Sequence, residues 1–64
     1  MFCEWNGNTT KIYSDNRSMH RAFHTRLPVR CATVTGEGND ARVSITLTNG
    51  RTELYRGDGV LIRR

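Results

Sequence analysis

The chain has 64 residues, of which 36% are hydrophobic and 25% charged, and it carries a formal net charge of +4. This composition excludes an intrinsically disordered chain, and the lack of any run of about 18 apolar residues excludes a transmembrane helix. The length predicts one domain, residues 1–64, with a small hydrophobic core.

An N-terminal β-hairpin is the first predicted element. Asn6-Gly7 is a signal for a two-residue turn of type I′, in which both central residues need a positive φ. The segment Thr9–Tyr13 is rich in β-branched and aromatic residues and is expected to form the return strand. A turn at this position would place Cys3 opposite Thr10.

A helix is predicted next, from about Asp15 to Arg26. Either Ser14 or Asp15 is an N-cap candidate, because its side-chain oxygen can accept an early helical N–H. The apolar residues that recur at helical spacing are Met19, Ala22, Phe23 and Leu27. Pro28 is expected to end the helix, since a proline displaces the preceding residue from the α region.

From Val29 onward the apolar residues alternate with polar ones, which is the period of β-strands. Asn49-Gly50 is a second two-residue turn signal, and it would pair Ile45 with Leu54 so that the apolar residues of both strands share one face. Asp58-Gly59 is a third turn signal, and it leads into a last strand. The core face of these strands is expected to hold Val43, Ile45, Leu47, Leu54 and Leu61.

These elements predict an α+β fold with the order ββαββββ. One α-helix would pack on a small antiparallel β-sheet made of the N-terminal hairpin and a C-terminal meander. The apolar face of the helix would cover the core face of the sheet.

The first candidate binding surface is a basic stripe on the predicted helix. Its members Arg17, His20, Arg21 and His24 are spaced i, i+3, i+4 and i+7, so they would lie together opposite the apolar face. Such a stripe can contact phosphates or acidic side chains. Charged residues also occupy the solvent face of any amphipathic helix, but a helix shaped only by solubility usually mixes charges of both signs.

The second candidate surface is the outer face of the predicted sheet, with Arg51, Tyr55 and Arg64 as its binding residues. A tyrosine among arginines can stack on a nucleic-acid base. The ordinary alternative is a cross-strand pair of Tyr55 with Ile62. Nearly all the positive charge of the chain is arginine, whose planar fork of donors suits phosphate and carboxylate groups.

No metal ligand, cofactor or catalytic residue is predicted. Cys3 and Cys31 are too far apart in sequence for a zinc finger, and both are expected to be free thiols. The acidic residues are scattered and form no catalytic pair. The one enzyme that the sequence allows is a small metal-free ribonuclease toxin, which would use His20, His24, Tyr55 and nearby arginines.

The sequence therefore predicts a small non-enzymatic binding protein that acts through a basic surface. The first hypothesis is a phage- or mobile-element-encoded inhibitor of the anti-CRISPR-like or host-takeover kind, which docks on a larger protein or nucleoprotein complex. The alternative is a nucleic-acid-binding regulator that uses the basic helix stripe. Residues 1–6 lack a signal-peptide pattern, so a cytoplasmic location in a bacterial host is expected, with no membrane partner.

Overall fold

The computed structural model describes all 64 residues and shows seven β-strands and no α-helix. The first of its two antiparallel sheets contains β1 (Phe2–Asn6), β2 (Thr9–Tyr13) and β3 (Met19–His24). The second contains β4 (Val29–Thr35), β5 (Arg42–Leu47), β6 (Thr52–Arg56) and β7 (Leu61–Arg63). The helical content is one 3₁₀ turn, Gly38–Asp40, so no helix is long and apolar enough to cross a membrane. The predicted α+β class, with a helix packed on a sheet, is wrong.

The segment predicted as the helix Asp15–Arg26 is a turn followed by β3. Ser14 N–H donates to the carbonyl of Ser18 at 2.9 Å, and Asn16 Oδ1 accepts from Ser18 N–H at 3.1 Å. Side-chain oxygens of serine, aspartate and asparagine that cap helices also close turns, because both structures offer them a free backbone N–H. The supposed N-cap signal therefore belongs to a turn.

The helical spacing of apolar residues in this segment is misleading as well. Within β3, Phe23 is 4% exposed, whereas Met19 is 55% exposed. An isolated helix of about 12 residues is only marginally stable. The strand instead hydrogen-bonds along β2, where Phe23 opposes the buried Thr10. Pairing and the burial of one aromatic ring outweigh the amphipathic helix pattern.

The N-terminal hairpin is present, with its turn one residue later than predicted. The turn residues are Gly7 and Asn8, and Cys3 opposes Ile12 rather than Thr10. Residues opposite each other in an antiparallel pair share a face. Cys3 consequently lies on the core side of the first sheet, beside the fully buried Ile12.

The hairpin between β5 and β6 lies where it was predicted, but its register differs by one residue. Its loop is Thr48–Gly50, three residues rather than two, and the last of these donates its N–H to the carbonyl of Leu47 at 3.0 Å. The extra loop residue makes Val43 oppose Tyr55. Tyr55 therefore packs against the core in the place predicted for Leu54.

Three turns of the chain share one hydrogen-bonding pattern. Each spans five residues: the N–H of the first donates to the carbonyl of the fifth, and the N–H of the fourth donates back to the carbonyl of the first. The third residue accepts from the N–H of the fifth through its side-chain oxygen. This is a type I turn followed by a residue in the left-handed conformation. The turns are 14–18, 47–51 and 56–60.

The left-handed position distinguishes the first turn from the other two. Gly50 and Gly59 occupy it with φ values of +87° and +97°, whereas Arg17 occupies it with a φ of +69°. A residue with a Cβ atom is disfavoured there by about 1–2 kcal/mol. The turn 14–18 therefore contains backbone strain that its two counterparts avoid.

Replacing Arg17 by glycine is expected to stabilise the protein. Relief of strain exceeds the extra entropy that glycine brings to the unfolded chain, which leaves a net gain of about 0.5–1 kcal/mol in the free energy of unfolding. For a domain of this size such a gain raises Tm by several degrees. The control is Arg17→Ala, which removes the side chain but keeps the strain. Equal melting temperatures for the two variants would contradict this account.

The two sheets share one hydrophobic core. Its buried members are Ile12, Phe23, Val29, Ala32, Val43, Ile45 and Leu47. On one side of the molecule β1 lies against β4, and the Cys3 thiol donates to the carbonyl of Ala32 at 3.2 Å. On the other side the sheets end at β3 and β7, which do not pair with each other. This open side positions the candidate site.

Candidate anion-binding site

The structure brings together four of the predicted binding residues, from both candidate surfaces. His24, Arg51, Tyr55 and Arg64 line one concavity of about 450 Å³, which we call the arginine cleft. It lies between the end of β3 with its following loop and the second sheet. The sequence placed His24 on a helix and the other three on a separate sheet face, so their proximity was not predicted.

The basic helix stripe does not exist, because its members lie on a turn and a strand. His20 and Arg21 lie where the register of β3 against β2 shifts, and their side chains contact different loops of the second sheet. His20 Nε2 is 3.1 Å from Asn39 Oδ1 on the 3₁₀ turn. The Arg21 side chain covers Gly59, where a Cβ atom would lie 3.0 Å from Arg21 Cδ. These residues and Arg17 do not line the cleft.

Arg26 is a member of the cleft that sequence reasoning missed, because the segment was assigned to a helix end. The side chain of Asn8 fixes the backbone there: its Nδ2 donates to the carbonyls of Thr25 at 3.1 Å and of Arg26 at 3.0 Å. The Thr25 N–H donates in return to the Asn8 carbonyl at 2.9 Å. The N-terminal hairpin thus holds the loop that presents Arg26. An arginine next to Leu27-Pro28, where the chain must leave a regular element, is the signal that could have indicated it.

The cleft has an excess of positive charge. The cleft contains three arginines and one carboxylate, that of Glu53, so the formal charges of these four side chains sum to +2. The arginines are Arg26, Arg51 and Arg64. None of the three guanidinium groups forms an ion pair within the chain. They are exposed, and their donors are free to bind a carboxylate or phosphate group in two-point fashion.

Arg56 shows the contrast within the same sheet. Its guanidinium lies 3.5 Å from a carboxylate oxygen of Asp40 and 3.7 Å from one of Asp58. Asp40 and Asp58 do not line the cleft, so they pair with Arg56 and leave the three cleft arginines without a carboxylate partner.

Tyr55 and Glu53 form the wall of the cleft. The Tyr55 hydroxyl donates to Glu53 Oε1 at 2.7 Å. The pKa of Tyr55 is raised to about 12: burial is the largest cause, the hydrogen bond and negative charge of Glu53 contribute to the rise, and the positive charge of Arg64 opposes it. The phenol therefore stays protonated at neutral pH and keeps the carboxylate in place.

The ring of Tyr55 is engaged by the core. It packs against Phe23 with ring centroids 5.1 Å apart and an interplanar angle of 52°. On the second sheet Tyr55 opposes Leu61, where the sequence predicted Ile62. This packing makes Tyr55 a structural wall rather than a free stacking platform.

A second concavity adjoins the cleft through His24. It has a volume of about 490 Å³, is formed largely by the first sheet, and includes the exposed Trp5 with Lys11. His24 Nδ1 is 3.2 Å from the Thr9 hydroxyl. An aromatic ring, one lysine and the carboxylate of Glu4 thus lie next to the arginine cleft.

Cys3 and Cys31 are free thiols, and no group of three or more His, Cys, Asp or Glu side chains is arranged to hold a metal ion. Burial raises the pKa of the Cys3 thiol, which disfavours its reactive thiolate form.

Comparisons with protein-family models, with curated proteins and with solved structures found no match to this chain. No finding therefore supports the predicted phage-encoded or anti-CRISPR-like inhibitor. The function has to be inferred from the geometry of the cleft.

Proposed function

We propose that this chain is a non-enzymatic binding protein that docks on an acidic surface of a larger protein. The observation that carries the proposal is the arginine cleft, where Arg26, Arg51 and Arg64 converge without an ion pair. Carboxylates of a partner would complete the pairs that the chain itself leaves open.

A protein partner is favoured over nucleic acid by the apolar residues near the cleft. The exposed residues Val60, Leu61 and Ile62 belong to or precede β7, the strand directly before Arg64. A phosphate backbone offers no apolar surface for such side chains, whereas protein interfaces combine apolar contacts with arginines. Tyr55, the expected base-stacking residue, packs on Phe23.

Binding is favoured over catalysis by the partners of the titratable side chains. His24 contacts the hydroxyl of Thr9 and His20 the amide of Asn39, so neither imidazole is oriented by a carboxylate. The Glu53 carboxylate already accepts a hydrogen bond from Tyr55. A general acid–base mechanism needs such groups directed at a substrate.

The test compares two charge-reversal variants with equal change in net charge. Arg51→Glu/Arg64→Glu alters the cleft, and Arg30→Glu/Arg42→Glu alters exposed arginines of β4 and β5 outside it. Binding of a fluorescent polyglutamate chain is measured by anisotropy, with circular dichroism as the check on folding. The cleft variant is expected to bind about tenfold more weakly or worse, because reversal adds repulsion to lost attraction, while the control changes little. Equal weakening in both variants would show that only net charge matters.

Single-stranded nucleic acid is the second candidate ligand, because Trp5 and Lys11 lie beside the cleft. Aromatic rings next to cations can bind bases and phosphates without sequence preference. An oligonucleotide that binds more tightly than polyglutamate, with an affinity falling steeply with salt, would favour this candidate. In the same samples, RNA cleavage that is lost in His24→Ala would point to the ribonuclease instead.

A further inference from the structure

The edge strands β3 and β7, on the open side of the molecule, differ in how they are covered. Next to β3, His20 contacts Asn39 and Arg21 covers Gly59, so side chains from that strand reach the second sheet. β7 pairs with β6 on one side and with no strand on the other. Alternate backbone N–H and C=O groups on that free side of β7 have no strand to bond with.

The segment at this free edge exposes three consecutive apolar side chains, followed by Arg63. Val60, Leu61 and Ile62 are 52%, 36% and 41% exposed, and they are consecutive in the chain. Proteins usually protect an open edge with charges, prolines, bulges or short strands. β7 is short and has one register irregularity opposite Leu54 and Tyr55, yet its exposed side chains are suited to contact another strand.

The charges near this edge favour a partner strand that carries carboxylates. Arg63 ends β7, Arg64 follows it, and Arg51 lines the same cleft as Arg64. No acidic residue lies in β7. Pairing of two copies of β7 would leave these arginines without carboxylate partners, because β7 supplies no acidic residue. A strand that carries carboxylates would instead place them beside free guanidinium groups.

We infer that β7 is an attachment edge for an extended acidic segment of the partner, which adds a fifth strand to the second sheet at the mouth of the arginine cleft. Main-chain hydrogen bonds to β7 supply affinity, and alternating side chains supply specificity, as in other cases of strand addition. Leu61 opposes Tyr55 and so lies on the cleft face, whereas Ile62 lies on the other face of the sheet. The apolar residues of the segment therefore cover Ile62, and its carboxylates, on the cleft face, pair with Arg51 and Arg64. This inference rests on the proposed function, because it names the form in which the acidic surface is presented.

The experiment uses a heptapeptide of alternating glutamate and valine with blocked ends, and two N-methylated versions of it. One version is methylated on the backbone nitrogens of the glutamates, and the other on those of the valines. An added strand hydrogen-bonds through one of its two edges, and the nitrogens of alternate residues point to opposite edges. One methylation pattern is therefore expected to weaken binding to the full chain about tenfold or more, and the other to change it little.

The outcomes separate this inference from the proposed function. Equal affinities for all three peptides, each reduced in Arg51→Glu/Arg64→Glu, would overturn strand addition while the acidic partner stands. Polyglutamate that binds when the heptapeptide does not would have the same meaning. If neither polyglutamate nor the heptapeptide binds, both strand addition and the proposed acidic partner are overturned. A protein that sediments as a dimer, and as a monomer after Ile62→Lys, would show that a second copy occupies the edge.

Amide hydrogen exchange supplies an independent readout. Backbone amides of β7 are expected to exchange more slowly with the unmethylated peptide bound, whereas side-chain attraction alone would leave their exchange unchanged. Slower exchange at β3 in place of β7 would assign the segment to the opposite margin and overturn the inference.

Discussion

Gly57→Ala is expected to unfold most of the protein at 25 °C. Gly57 is buried in the turn after β6, and its N–H donates to the carbonyl of Ala41 at 2.8 Å. A Cβ atom on this residue would overlap the carbonyl oxygen of Gly38 and would lie 3.2 Å from the Cβ of Ala41. The obstructing oxygen belongs to the backbone of the 3₁₀ turn, so it cannot rotate aside as a flexible side chain would.

The size of the effect follows from the small stability of a short chain. Overpacking of this kind costs roughly 3 kcal/mol or more, and a domain of this length rarely has more than about 3–5 kcal/mol in total. The measurement is a thermal melt followed by circular dichroism. Gly7→Ala is the control: it faces open space and carries only the cost of a φ of +57°, so it should retain a cooperative transition. A Gly57→Ala melt within a few degrees of wild type would show that the 3₁₀ turn does not press on this glycine.

The second large effect is expected for Phe23→Ala. Phe23 is 4% exposed, belongs to the shared core and packs on the ring of Tyr55. Truncating a buried phenylalanine to alanine typically costs about 3–5 kcal/mol in the free energy of unfolding. The variant should be largely unfolded, or have a urea midpoint close to zero.

Met19→Ala is the matched control for Phe23→Ala, and together they distinguish a strand from a helix. On the predicted helix both residues would face the core, so both substitutions would be costly. On β3 Met19 is 55% exposed, and its truncation should change the stability by no more than about 0.5 kcal/mol. Similar losses of stability in the two variants would instead support the predicted helix.

Strands of the second sheet were the easier part of the fold to predict. Val43, Ile45 and Leu47 alternate with polar residues and are buried in the core, as the period of two indicated. The register was missed because an Asn-Gly pair fits two turns of different length. In a type I′ turn Asn49 would have a positive φ, whereas here only Gly50 does.

β3 was missed because its sequence suits two structures locally. Side-chain oxygens such as those of Ser14, Asp15 and Asn16 can accept from backbone N–H groups at a helix start or in a turn, and here Asn16 does so in a turn. Pairing with β2 favours the strand over the helix. This contact joins two segments, so it cannot be read from the spacing of apolar residues within one of them. Tertiary context outweighed local preference there.

Four residues of the candidate site were predicted as binding residues, but their arrangement around one cleft was not. Arginines and His24 were identified from their charge, and the structure places His24, Arg51 and Arg64 around one cleft. Their meeting depends on how the two sheets close along β1 and β4 and stay apart along β3 and β7. The sequence contains no local signal for that packing, so Arg26 went unrecognised.

All hydrogen-bonded strand pairs in this protein join consecutive strands, so each sheet is a simple meander. The three five-residue turns connect consecutive strands through very short loops, and closing such a loop costs little chain entropy during folding. Each meander can therefore zip outward from its turns on a fast timescale, as low contact order favours. We expect the slow event to be the search that brings β1 against β4, because it joins segments distant in sequence. The folding rate should then depend on the docking of the two sheets, which share one core.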